Sequence, residues 1–82
     1  MKRVEVEWLD SICEGSWHRR DDVIREATRE AMLHRSIGYL VHENDEMVLL
    51  AGSRGESGVM VSDTMQIPRV AVLTVRELRR GS

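Results

Sequence analysis

The chain has few of the residue types on which small proteins usually build a site. Its 82 residues include one cysteine, one proline, three aromatic side chains and no phenylalanine. The single Cys13 excludes an internal disulfide, so a reducing cytoplasm is the expected compartment. Three aromatic residues are too few for the exposed aromatic groove that binds proline-rich peptides.

Long hydrophobic runs and an excess of one charge are also missing. No apolar run is long enough to cross a bilayer, and the N-terminus lacks the hydrophobic region of a signal peptide, so we expect no membrane partner. With 12 basic and 14 acidic residues, the net charge of -2 gives no general attraction to nucleic acid. A chain this short forms a single domain, 1–82, which buries only about 60–65% of its unfolded surface, so a monomer would be marginally stable.

The residues that are present predict strands at the start of the chain. Val4, Val6 and Trp8 alternate with charged residues over residues 3–10. A period of two is typical of a strand with one face on the core and the other in water.

An insert is predicted after this strand, over about residues 11–33. Its first part has no periodicity and predicts a loop that lays Trp17 on the core of the domain. Residues 21 to about 30 predict a short helix that Asp21 or Asp22 caps. Such a helix is too short to be stable alone, so it has to pack on something.

Residues 33–51 predict a β-hairpin. Asn44 and Asp45 favour a tight turn between its arms, and Gly38 inside the first arm predicts a sharp bend. Residues 47–51, in the second arm, are apolar on both faces. That pattern is typical of a strand that is either central in a closed sheet or covered by a neighbouring subunit.

The C-terminal part predicts two further strands. A glycine-rich loop at residues 52–58 precedes a strand at 59–67, Pro68 breaks that strand, and residues 70–76 resume it. The chain is therefore predicted to be mainly β, as a five-stranded and strongly bent barrel with a loop-plus-short-helix insert between the first two strands.

Two segments carry a resemblance to a known family. Residues 38–50 combine a glycine in a bent strand, a polar tip and an apolar strand, which resembles the first Sm signature. Residues 67–75 place Arg69 before a small apolar run that ends in Thr-Val, which is similar to the second signature of the bacterial branch. The chain thus resembles the Sm/Hfq-like branch of the SH3-like barrels. Its overall run also resembles small uncharacterised bacteriophage and prophage proteins, which would place it in the cytoplasm of a host cell.

The resemblance implies a ring of identical subunits. In Sm-like rings the strand after the polar tip pairs with the last barrel strand of the next subunit, so residues 47–51 would pair with residues 70–75 of a neighbour. Covering so apolar an edge would also prevent aggregation. The interface residues predicted in this way are Met47, Val48, Leu49, Leu50, Val70, Val72 and Leu73.

The RNA pocket of the family is expected to be lost. The matching positions hold Asp45, Glu46 and Val48, then Arg69 and Val70. Carboxylates repel phosphate, and the stacking that is worth about 1–3 kcal/mol per base elsewhere has no aromatic partner here. We therefore expect a ring with a structural or interaction role. The alternative is a ring that binds single-stranded RNA through a basic surface outside that pocket, for which the candidates are Arg69, Arg76, Arg79 and Arg80.

The reactive side chains predict no enzyme, metal site or cofactor. His18, His34, His42 and Cys13 lack the spacing of a metal-ligand set. Cys13 lies beside Glu14, which disfavours a reactive thiolate, and it is expected to be a small, half-buried side chain. A third hypothesis is an adaptor whose insert docks a partner protein, because loops on rigid scaffolds commonly carry function.

Overall fold

The computed structural model describes residues 1–79 and shows a mainly β protein. Its elements are β1 (Arg3–Leu9), α1 (Arg20–Glu26), α2 (Arg29–Met32), β2 (Leu33–Glu43), β3 (Met47–Arg54), β4 (Val61–Pro68), a 3-10 helix (Arg69–Ala71) and β5 (Val72–Leu78). The five strands form one antiparallel sheet in the order β4-β3-β2-β1-β5. Over residues 1–79, none of the helices is long and apolar enough to span a bilayer.

The alternation predicted for the first strand is confirmed. Val4 and Val6 are 2% and 0% exposed and form part of the core. β1 pairs on both sides, so that Val6 lies opposite Ser36 of β2 and Val75 of β5. The indole Nε1 of Trp8 donates a hydrogen bond to Ser36 Oγ at 3.0 Å, which gives this half-buried ring a polar partner.

The predicted turn between β2 and β3 is also confirmed. Asn44 Oδ1 accepts hydrogen bonds from the backbone N–H groups of Glu46 at 2.8 Å and Met47 at 3.0 Å. A Cβ added to Gly38 would lie 2.8 Å from the backbone oxygen of Ala51, so a side chain at this position cannot fit without a backbone shift. The register between the two strands shifts further along β2, and such a bulge bends the strand.

The predicted break at Pro68 is confirmed as well. β4 ends at this residue, which has no N–H with which to extend the ladder. The 3-10 helix follows, and the N–H of Arg69 donates to the carbonyl of Glu46 at 2.8 Å. Because this helix takes up the next three residues, β5 begins at Val72 rather than at residue 70.

A single apolar core lies inside the curled sheet. Its buried members are Val4, Val6, Val48, Leu50 and Ile67, and Trp8, Leu40, Val72 and Val75 pack against them. Both edge strands contribute to this core, β4 through one side chain and β5 through two. The sheet therefore wraps around one cluster rather than lying flat.

The sheet is nevertheless not closed into the predicted barrel. Among residues 1–79, β4 pairs only with β3, and β5 pairs only with β1. Of the residues in β4, only Ile67 is buried. Little apolar packing therefore holds the rest of this strand across the core towards β5, and one edge of each strand is left open.

The insert contains two short helices instead of the single predicted one. The chain is extended at Ala27 and Thr28, and the Thr28 hydroxyl accepts a hydrogen bond from the N–H of Ala31 at 3.2 Å. Threonine favours such a cap over a helix interior, which explains the break. The capping role predicted for Asp21 and Asp22 is wrong, because both lie inside the first turn of α1, where they complement the helix dipole.

The expectation that Trp17 lies on the core is wrong. Its side chain is 101% exposed, and neither helix of the insert buries a residue. The insert is tied to the sheet at its base, where the N–H of Asp10 donates to the carbonyl of Met32 at 2.9 Å. Cys13 is exposed rather than half-buried, because its loop stands away from the core.

Candidate functional site

The open edges of β4 and β5 are the first candidate interaction surface. Both edges of β3 are occupied within the chain, as Leu50 lies opposite Leu40 of β2 and Met65 of β4. The pairing of residues 47–51 with a neighbour does not fit this arrangement. The free edge on that side of the sheet belongs to β4, and the free edge on the other side belongs to β5.

The predicted interface residues fall into three groups. Val48 and Leu50 belong to the core and are closed to any partner. Met47, Leu49 and Val72 are half-buried, whereas Leu73 and Val70 are exposed, Val70 to 99%. On the opposite edge strand, Met65 of β4 is exposed too, so each open edge has an apolar side chain beside it. The sequence pattern identified a strand with two apolar faces but could not show which neighbour covers it.

A groove of about 460 Å³ is lined by residues of β5 together with residues of β1 and β2. Leu40 and Val72 contribute apolar surface to it, and Glu43 and Arg69 lie at its polar end. The groove therefore lies between side chains of the apolar core, such as Val4, and exposed residues of β5, such as Leu73.

The predicted basic surface is balanced by acidic side chains. Arg69 Nη1 lies 3.1 Å from Glu43 Oε2, and Arg76 Nη2 lies 3.2 Å from Glu5 Oε1. These two arginines lie on different elements, the 3-10 helix and β5, and Arg79 follows the end of β5. Arg80 lies outside the described residues. The structure therefore does not bring Arg69 and Arg76 into one unpaired cationic surface.

The insert forms the second candidate surface. A cleft of about 850 Å³ lies between its loop and its two helices, and the apolar part of the lining includes Ile12, Trp17, Val23, Ala27 and Met32. Most of these side chains are exposed, because the insert lies against the sheet mainly at its base, where α2 contacts β1. Trp17 was predicted on the core because a loop without periodicity has no pattern that distinguishes an exposed aromatic side chain from a buried one.

A polar cluster shapes the loop of the insert. Ser16 Oγ donates to Glu14 Oε1 at 2.8 Å and lies 2.9 Å from His18 Nε2. Hydrogen bonds from the side chain and the backbone N–H of Ser16 lower the pKa of Glu14. In a catalytic triad the carboxylate orients the imidazole, whereas here the carboxylate accepts a hydrogen bond from the serine hydroxyl. The cluster therefore acts as a loop clamp and lacks the relay that activates a serine.

Within residues 1–79 no group of three or more histidine, cysteine, aspartate and glutamate side chains converges as a metal site would require. His34 instead packs beside Trp8, with ring centroids 5.3 Å apart and the rings tilted by 39°, and its Nδ1 lies 2.8 Å from the carbonyl of Met32. This histidine thus has a packing role at the junction between the sheet and the insert.

Comparison with known proteins gives no relatives: no family model, no curated protein and no solved structure matches the chain. The resemblance to the Sm/Hfq-like proteins therefore stays a prediction.

Proposed function

We propose that the protein is a non-enzymatic structural or interaction module, a phage-type Sm-like sheet that self-assembles into a ring. The joint is the open edge of β4 in one copy and the open edge of β5 in the next. The observation that carries this proposal is the pair of unpaired edges on one curled sheet. Each edge has an exposed apolar side chain beside it, Met65 on β4 and Leu73 on β5.

The two edges differ, so each contact between copies is head-to-tail. A head-to-tail contact gives either an open filament or a closed ring, and a ring pairs the outer edges of β4 and β5 in every copy. A curled sheet favours closure because successive copies are rotated relative to one another. Exposed edges on a single copy would invite uncontrolled strand pairing.

Apolar contacts alone would not hold such a ring together. Burial of a side chain such as the exposed Val70 stabilises a contact by about 1.5–3 kcal/mol. Bringing two copies together costs about 4–15 kcal/mol in lost freedom of motion. The contact therefore also needs backbone hydrogen bonds between β4 of one copy and β5 of the next. Closure of the ring adds stability, because every copy then makes two contacts.

The test is the native mass of the protein at micromolar concentration, measured by light scattering. We expect a single species of more than two copies. Met65→Lys, which adds a charge to the β4 edge, should reduce it to smaller species. Ile37→Lys is the matched control, because Ile37 is also exposed but lies on β2, which is not one of the two outer strands, and this variant should keep the wild-type mass. A wild-type monomer under these conditions would rule the ring out.

The RNA-binding ring is the weaker candidate. Its described residues Arg69 and Arg76 each face a carboxylate, which reduces their attraction to phosphate. Repeating the mass measurement with single-stranded RNA at low salt tests this candidate. RNA binding would raise the mass, and the increase would shrink as salt is added. A ring or an adaptor in the reducing cytoplasm fits the single, exposed Cys13.

A further inference from the structure

One residue of the edge strand β4 has a backbone conformation that a regular strand does not contain. Asp63 has a φ of 54° and is the one non-glycine residue with positive φ among residues 1–79. This left-handed region is strained for a residue that carries a Cβ, although aspartate tolerates it better than most residues do. Strained residues persist where the surrounding structure holds them, and they concentrate at positions that have a function.

The strand β3 accommodates Asp63 at a glycine. A Cβ added to Gly52 would lie 3.1 Å from the Cβ of Asp63, which is closer than ordinary van der Waals contact. The register between the two strands is the same on both sides of this point, as the pairs Ala51 with Thr64 and Ser53 with Ser62 show. The irregularity therefore leaves the alignment of β4 with β3 unchanged, and its consequence for a further strand lies at the outer edge.

The outer edge of β4 can pair with another strand only where its N–H and C=O groups follow one another regularly. A left-handed residue turns its own N–H and C=O out of the row, and irregularities of this kind end strand pairing at sheet edges. At the other end of β4, Pro68 has no N–H to donate. The regular part of the outer edge is therefore the short segment 64–67, which lies between these two residues.

The carboxylate of Asp63 is a second obstacle to pairing at this point. Asp63 and Ile67 lie an even number of residues apart and so share a face of the sheet, and Ile67 is buried in the core. Asp63 itself is exposed and makes no ion pair within residues 1–79. A strand paired against it would place a core-facing side chain beside the carboxylate. In β5 such side chains are apolar, as Val75 is, so the charge would lose water without gaining a partner.

We propose that Asp63, through its left-handed backbone, limits strand pairing at the outer edge of β4 to residues 64–67. Together with Pro68 it leaves a segment that accepts one short strand and excludes a longer or shifted one. In the ring that strand is β5 of the next copy, and this identification rests on the proposed function. The limit itself does not rest on it, because it acts on any strand that reaches this edge.

The test straightens β4 at this position. Asp63→Val introduces a β-branched residue, which disfavours the left-handed region and favours an extended strand. Residues 61–63 should then join the pairing edge, and the native mass measured by sedimentation velocity should rise above that of the wild type. Asp63→Asn removes the charge but keeps a side chain that tolerates positive φ, so this variant should keep the wild-type mass.

Either of two results would overturn the proposal. A wild-type mass for Asp63→Val would show that the left-handed residue does not limit pairing. A raised mass for Asp63→Asn would show that the charge, and not the backbone, is the obstacle.

Two further variants separate strand pairing from misfolding. Thr64→Val places the same side chain at the next exposed position of β4, where φ is negative, and should keep the wild-type mass. The double variant D63V/S62K adds a charge to the part of the edge that has become regular, and it should return to the wild-type mass. A misfolded chain would not be repaired in this way. An equal rise in mass for Thr64→Val, or a double variant that stays at the raised mass, would contradict pairing at residues 61–63.

The limit at Asp63 and the ring can fail separately. The mass of the wild type tests the ring, whereas the difference between the wild type and Asp63→Val tests the limit. A monomeric wild type with an assembled Asp63→Val would remove the ring and support the limit. An assembled wild type with an unchanged Asp63→Val would support the ring and overturn the limit.

Discussion

The sheet and the insert bury their apolar residues in opposite ways. In the sheet, Val4, Val6 and Ile67 disappear into one core shared by both edge strands. In the insert, by contrast, Trp17 and Ile24 are exposed to solvent, although their side chains are as apolar as those in the core. The comparison teaches that a single copy covers the apolar core of the sheet, whereas it leaves the insert and the outer edges of β4 and β5 uncovered.

The largest effect should come from truncating the core of the sheet. Ile67→Ala removes a buried side chain and should lower the free energy of unfolding by about 2–5 kcal/mol. The matched change Ile24→Ala, on the exposed face of α1, should alter the stability of the dilute monomer by less than about 0.5 kcal/mol. Urea denaturation at low protein concentration measures both. Equal losses would show that the insert shares the core, contrary to this description.

A smaller loss of stability should follow from adding a side chain at Gly38 in β2. Gly38→Ala places a Cβ against the backbone oxygen of Ala51, which cannot turn aside as a flexible side chain could. Overpacking of this kind typically costs about 1–3 kcal/mol. Gly15→Ala is the control, because a Cβ there meets nothing within 4 Å in the loop of the insert. Thermal unfolding should separate the two variants, and an unchanged midpoint for Gly38→Ala would contradict the close approach of β2 and β3.

The smallest effect should be confined to the insert. Thr28→Ala removes the hydroxyl that caps α2, which typically costs about 1 kcal/mol of helix stability. We expect less helical signal in circular dichroism but an unchanged unfolding midpoint for the sheet, whereas Thr28→Ser, which keeps the hydroxyl, should retain the helix. A lower midpoint for Thr28→Ala would mean that the insert and the sheet unfold together.

The sequence was sufficient where the signal is local. The alternation at Val4 and Val6, the turn at Asn44 and the break at Pro68 each follow from the chemistry of one or two residues. They were confirmed because no distant contact competes with them.

The sequence was insufficient where the outcome depends on distant parts of the chain. The apolar faces of β3 fit either a central strand or an interface strand, and only the pairing with β4 resolves this. The predicted closed barrel was wrong because β4 contributes only Ile67 to the core among the described residues. The contact of Arg69 with Glu43 joins residues far apart in sequence, so a pattern of basic residues could not reveal that the charge is balanced.

Amide hydrogen exchange at two protein concentrations tests most directly the proposal that the outer edges of β4 and β5 pair between copies. Amides of β1 and of residues 48–51 in β3, which lie between two paired neighbouring strands, should be equally protected in dilute and concentrated samples. Amides on the outer edges of β4 and β5 should exchange quickly when dilute and should gain protection when concentrated. Protection of these amides that is the same at both concentrations would contradict the account.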